Sequence, residues 1–273
     1  MTASSETTLV QGIELPAESV IPAEDPRWLE RLAQRAWPAL EERFHDGWVL
    51  RFSRGFTRRA NSVIPLAPGR LPVRAKIGYC LEEYQRRGLP PTFKIIPCSE
   101  PEGLDQTLAE SGYRLEAETV TQVCPLAEVP VPEGIPFQGR FETWSDPAEA
   151  WLEAYLACSG TAASDLPVLQ EILWQIPAET RFVVLKVAGG PVACALGVLD
   201  HACLGIFSVA TAPGYRRRGY ARSVIGHLVT WSLAQGAHTA HLQVLAGNEP
   251  ARRLYASLGL RDAYRYWYRV LGR

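Results

Sequence analysis

The chain has 273 residues, of which 47% are hydrophobic and 21% charged, with a formal net charge of -1. At roughly 150 residues per domain that length fits two domains, and such a chain buries sizeable cores without disulfide or metal staples. A balance this close to neutral excludes a globally basic surface for nucleic acid or an anionic membrane, so any anion recognition has to be local. Cys80, Cys98, Cys124, Cys158, Cys194 and Cys203 form no CxxC pair and no metal-like spacing. They read as reduced, mostly buried thiols of a cytoplasmic protein, and no metal site is expected. Met1–Glu6 has neither the basic nor the apolar region of a secretory leader. The stretch Ser223–Asn248 carries no formal charge and is long enough to cross a bilayer, but its His, Gln and Gly residues point instead to a core helix, a glycine break and a buried strand.

Residues 1–25 are polar, with Pro16 and Pro22 and no sustained period, and read as a tail. Helical periodicity begins near Trp28, where Trp28, Leu29, Leu32 and Trp37 share a face. Strand-like segments follow at 48–52 and 60–66, then a helix over 72–87 stopped by Gly88, a short buried strand at 93–96, a helix near 104–110 ended by Gly112, and a long strand over 113–124. Four prolines between Pro125 and Pro136 predict a linker. The second half has the same grammar. Strand 137–143 precedes helices 147–158 and 166–175, and strands 181–187 and 192–199 form a hairpin through Ala188-Gly189-Gly190-Pro191. Strand 203–210, helix 219–233, strand 240–245, helix 250–258 and strand 264–270 complete the chain.

The halves are weakly self-similar. Ser62 to Gly88 spans 26 residues where Ser208 to Gly236 spans 28, and Gly88 to Gly112 spans 24 where Gly236 to Gly259 spans 23. The reading is an α/β chain of two related domains, 26–130 and 137–273, joined by a linker at 131–136.

The most informative stretch is Val209-Ala210-Thr211-Ala212-Pro213-Gly214-Tyr215-Arg216-Arg217-Arg218-Gly219-Tyr220-Ala221-Arg222, between an apolar strand and an apolar helix. A strand that feeds a loop opening a helix aims free backbone N–H groups at one spot, and those donors with the helix dipole make an anion site. Gly219 allows close backbone approach, Ala221 keeps the first turn slim, and the arginines add local charge. The stretch is neither a Walker loop nor GxGxxG, so it lends no support to nucleotide hydrolysis or dinucleotide redox chemistry. Further on, Asn248 could cap a helix with Pro250 in its first turn and Gly259 past its end. Leu254 and Leu258 mark its buried face, with Tyr255 one step round.

Together these pieces resemble the GNAT (GCN5-related N-acetyltransferase) superfamily. Arg216-x-x-Gly219-x-Ala221 is similar to its (Gln/Arg)-x-x-Gly-x-(Gly/Ala) pyrophosphate loop. Asn248, Ala251, Leu254-Tyr255 and Gly259 look like its second motif, about thirty residues on. The resemblance covers about residues 136–273, and Trp48–Pro65 looks like the first half of tandem-GNAT proteins. It implies two GNAT-like domains of α+β type, each a mixed, mostly antiparallel sheet flanked by helices, with a degenerate first copy and a catalytic second one.

By the same resemblance, Val209, Ala210 and Thr211 end a splayed strand that offers main-chain groups to pantetheine. The amides of the segment Arg216, Arg217, Arg218, Gly219, Tyr220, Ala221 and Arg222 hold a pyrophosphate, Asn248 contacts the pantetheine arm, and Tyr255 protonates the departing CoA thiolate. The implied reaction is direct acetyl transfer from acetyl-CoA to a primary amine, a small molecule or amino acid being favoured. A non-catalytic acyl-CoA-binding regulatory module and a thiol-cofactor acetyltransferase resembling mycothiol synthase share these residues. No nucleic acid, membrane or metal partner is expected, and nothing in the sequence fixes an oligomeric state.

Two departures stand out. Many relatives place a carboxylate base five residues before the asparagine; here that position is Gln243, which cannot take a proton at neutral pH. His241, two residues earlier on the same strand face, is an alternative base or a structural histidine. In the first half, Leu108 stands where Tyr255 stands in the second, and Ala67–Val73 lacks the R-x-x-G-x-A pattern. Arg58 and Arg59, beside Asn61, meet either a carboxylate on the acceptor or solvent at a turn. Tyr264, Tyr266 and Tyr268 alternate along one strand face and serve either the acceptor cleft or packing.

Overall fold

A computed structural model describes residues 24–130 and 139–272. Most of the expected tail and all of the expected linker at 131–136 lie outside the described residues.

The first half runs α1 (Pro26–Ala36), β1 (Glu41–His45), β2 (Trp48–Phe52), β3 (Val63–Pro65), α2 (Val73–Arg86), β4 (Thr92–Ile95), α3 (Leu104–Glu110) and β5 (Arg114–Pro125). The second runs β6 (Gly139–Trp144), α4 (Glu149–Ser159), α5 (Leu166–Trp174), β7 (Glu179–Val187), β8 (Gly190–Asp200), β9 (Cys203–Thr211), α6 (Tyr220–Ala234), β10 (Thr239–Leu245), α7 (Glu249–Ala256) and β11 (Arg261–Val270). Two expectations need correction. β1 has no counterpart among the expected strands, because Glu41–Phe44 are all exposed on the sheet edge and carry no inward alternation. The strand expected from Ala60 begins at Val63; Arg58–Ala60 is a 3₁₀ turn. Asn61 captures that turn, its side chain accepting from the N–H groups of Ser53 and Gly55 and donating to the carbonyls of Phe56 and Thr57. The uncharged stretch Ser223–Asn248 divides into most of α6, a turn and β10, and no helix among the described residues is long and apolar enough to cross a membrane.

The eleven strands among the described residues form one sheet in the order β1-β2-β3-β4-β11-β5-β10-β9-β8-β7-β6. The halves meet by exchange. β5, last strand of the first half, lies between β10 and β11, and β11, last strand of the second, lies between β4 and β5. β5 and β11 run antiparallel, pairing Thr121 with Tyr264 and Thr119 with Tyr266. Each half therefore completes the other's sheet. Packing follows suit: Ala36, Trp37 and Ala60 of the first half share a core with Trp151, Phe182 and Phe207 of the second. Along β10 the alternation sends Ala240, Leu242 and Val244 into the core under α6 and α7, and His241 and Gln243 to the opposite face.

Candidate active site

β9 and β10 pair in parallel only from Cys203–Thr239 to Ile206–Leu242. Beyond that point the two strands part. Ser208, just past the last pair, has φ +51°, and the β8–β9 register shifts there, so a bulge redirects the end of β9. Val209, Ala210 and Thr211 then line a cavity of about 650 Å³.

The far wall is the loop into α6. Arg217 and Gly219 take positive φ values of +60° and +86°. A Cβ at Gly219 would meet nothing within 4 Å, so what the glycine supplies is left-handed backbone rather than room. Gly219 precedes the first turn of this 15-residue helix with no side chain of its own to cap it, and the cavity reaches that end of α6. α7 begins where the Asn248 side chain accepts from Ala251 N, 3.3 Å away, with proline in its first turn. It carries Tyr255 to the same cavity. Burial pushes the Tyr255 phenol up to about 12, so it keeps its proton at neutral pH.

This one cavity gathers Val209, Ala210, Thr211, Arg216, Arg217, Gly219, Tyr220, Ala221, Arg222, Asn248 and Tyr255. Arg218 is not among its lining; its guanidinium sits 5.6 Å from the centre of the Tyr215 ring. Arg222 also reaches back, bonding the Ser257 hydroxyl at 2.5 Å. Sequence reasoning missed Tyr155, Cys158 and Ser159 of α4, which line the cavity too. Their i, i+3, i+4 spacing is visible in the sequence, but nothing there separates it from an ordinary packing face.

The matching loop of the first half is already filled. The Asp46 carboxylate accepts hydrogen bonds from Arg70 N and Leu71 N at 2.8–2.9 Å, and those bonds hold its pKa below the usual carboxylate range. Lys76 Nζ lies 3.5 Å from the same carboxylate, and α3 presents buried Leu108. An internal anion thus sits at the first half's loop, ahead of α2, where the second half keeps an open cradle.

The family described as "Probable histone acetyltransferase Rv0428c C-terminal" matches residues 23–269. The chain belongs to this family. It is also 28% identical over 254 residues, covering 90% of this chain and 99% of the relative, to the "Uncharacterized N-acetyltransferase YobR" of Bacillus subtilis. A shorter match, 41% over 66 residues, joins 24% of the chain to 43% of the "[Ribosomal protein bS18]-alanine N-acetyltransferase" of Escherichia coli. A GCN5-related N-acetyltransferase from Kribbella flavida superposes with TM-score 0.66 at 18% identity, over 89% of this chain and 95% of that one. A tandem GNAT protein from the clavulanic acid biosynthesis pathway gives 0.54 at 13%, over 73% and 70%. The fold is that of the GNAT superfamily, as the paired motifs implied.

Within this acetyltransferase family frame, the Gln243 position is wired into the first half. Gln243 Nε2 donates to Glu30 Oε1 at 3.3 Å, and Tyr266 OH donates to Gln243 Oε1 at 3.0 Å. Tyr264 OH donates to the same Glu30 oxygen at 2.8 Å, while Lys94 Nζ pairs with the other. His241, the alternative base, is set apart from both cavities, this one and the one beyond Gln243. Its Nδ1 has no hydrogen-bond partner among the described residues, and burial lowers its pKa to about 4. That site beyond Gln243, about 360 Å³, is lined by Thr57, Arg58, Arg59, Thr119, Gln243, Tyr266 and Tyr268 among others. Of the three alternating tyrosines, Tyr266 and Tyr268 reach it, and Tyr264 is spent on Glu30.

Proposed function

We propose that this protein is an acetyl-CoA-dependent N-acetyltransferase that moves an acetyl group directly to a primary amine of a small molecule. The observation that carries the reading is the convergence, on one cavity, of the bulged end of β9, the start of α6 and a protonated Tyr255. Acetyl-CoA, as co-substrate, supplies an activated thioester. The amides from Arg216 to Arg222 would hold its pyrophosphate, with the helix dipole adding to the attraction. Main-chain N–H at Val209 or Ala210, turned by the bulge, would stabilise the charge that develops on the thioester oxygen. The neutral amine attacks the carbonyl carbon, the C–S bond breaks, and Tyr255 gives its proton to the leaving sulfur. The amine's surplus proton leaves to solvent, since Gln243 cannot accept it and His241 is sealed off, and solvent returns a proton to the Tyr255 phenolate before the next turnover. Positioning of amine and thioester carries much of the rate. The relative named for acetylating an alanine of ribosomal protein bS18 supports nitrogen as the acceptor atom.

The Gln243 substitution favours one other reading, a module that binds acyl-CoA and turns over nothing. Thiol release from acetyl-CoA in the presence of a panel of amines and amino acids separates the two. Tyr255→Phe is expected to bind acetyl-CoA as the parent does and to lower kcat by roughly 10²–10⁴-fold. Unchanged turnover at saturating acceptor would remove Tyr255 from the acid role.

A further inference from the structure

Four arginines stand on or beside the loop between β2 and β3. Three have carboxylate partners: Arg51 pairs with Glu42 at 2.9 Å, Arg54 with Glu171 at 2.7 Å, and Arg58 with Glu116. Arg59 has none among the described residues. Its guanidinium lies instead over two aromatic rings, 4.8 Å from the centre of Trp37 and 5.9 Å from that of Phe207. Rings hold a guanidinium by its face and leave its in-plane N–H groups available.

The loop that presents Arg59 is built to stay put. Buried Asn61 makes four hydrogen bonds across it, Trp37 Nε1 donates to Thr57 Oγ1 at 3.1 Å, and Arg51 Nη1 donates to the Arg59 carbonyl at 2.7 Å. A fixed loop around an unmatched cation is a preorganised anion receptor rather than a solvated turn.

Its location ties it to the chemistry. Arg59 lines the 360 Å³ cavity together with Gln243, Tyr266 and Tyr268. That cavity borders the gap between β9 and β10 through Gln243 and Leu245, and the cofactor cavity borders the same gap through Ser208 to Thr211. Phe207, beneath Arg59, immediately precedes the Ser208 bulge. The field of Arg59 also reaches the phenols of Tyr266 and Tyr268, opposing the rise that burial imposes on them.

Resting on the transferase reading above, we infer that the acceptor is a small amino-carboxylate, its carboxylate gripped by Arg59 and its amine directed at the gap between β9 and β10. A cavity of this size suits a single small molecule. A lysine within a basic peptide would bring a second positive charge against Arg59 and no carboxylate to meet it.

The experiment is steady-state thiol release with free amino acids, their carboxamides and a lysine-rich histone-tail peptide. Free acids are expected to exceed their amides by roughly 10–100-fold in kcat/KM, mostly through KM. Arg59→Gln should bring that ratio close to one, and Arg59→Lys should restore part of it; circular dichroism and thermal melting confirm that both variants are folded. Amides or the peptide matching the free acids, or an acid-to-amide ratio unmoved by Arg59→Gln, would overturn the anchor while leaving the transferase reading standing. Absence of thiol release with every acceptor would remove both.

Discussion

Gln243 on β10 donates a hydrogen bond to Glu30 on α1, 3.3 Å across two residues 213 positions apart in sequence. The position where the family resemblance implies a catalytic carboxylate is thus an amide, and a carboxylate from the other half stands behind it. Glu30 is 1% exposed and its cation, Lys94, is 3% exposed. With Tyr264, Tyr266 and Gln243 they form a closed polar cluster between α1 and the sheet.

A cluster of this kind is costly to break from one side. Lys94→Met leaves the Glu30 charge buried with only hydroxyl and amide donors, and should cost about 3–5 kcal/mol in urea unfolding. The double variant Glu30→Gln/Lys94→Met removes both charges and keeps an acceptor for Tyr264. It should recover most of that loss. Equal destabilisation by the single and double variants would mean the ion pair is not what matters there.

Gly219→Ala tests the anion cradle. At φ +86° an alanine costs about 1–2 kcal/mol of backbone strain, in a loop with open space around it. The expected outcome is about 5–30-fold weaker binding of CoA by calorimetry, with the melting temperature little changed, because a loop with open space around it relaxes when empty and meets the strain only when it closes on the anion.

His241 sets an acid limit on stability. Its folded pKa of about 4 lies below the ordinary 6.5, so between those values the unfolded chain binds a proton that the folded chain does not. Stability from this residue is complete above pH 6.5 and is lost as pH falls towards 4, roughly 3 kcal/mol in all. Urea midpoints of the parent should drop more steeply over this range than those of His241→Gln.

The strand exchange predicts that neither half folds well alone. Residues 139–273 without β5 lose the strand that pairs with β10 over seven positions from Thr239 to Leu245, and lose Val120 and Cys124 from the main core. Expressed singly, they should aggregate or elute as expanded species in size-exclusion chromatography. Co-expressed with residues 24–130, they should co-purify as a folded pair.

Most of the residues that line the proposed cofactor cavity were legible in the sequence because their signals are local. Gly219 before α6, Pro250 and Asn248 at the start of α7, and the apolar strand ahead of them are short-range signals, and helix geometry alone carries Tyr255 beside them. Apart from the exposed edge strand β1, the order of helices and strands was equally readable, since amphipathic periods and glycine stops depend on nearest neighbours in sequence. What lay beyond the sequence was every long-range pairing. That β5 and β11 would change places, that Glu30 would stand behind Gln243, that Asp46 would fill the first half's own loop, and that Arg59 would lack a carboxylate partner among the described residues all depend on how the two halves pack. A charged residue reads the same in sequence whether its partner is water, a distant side chain or a substrate. Only the tertiary structure, by deciding which groups lose water and which find a counter-charge, tells these apart.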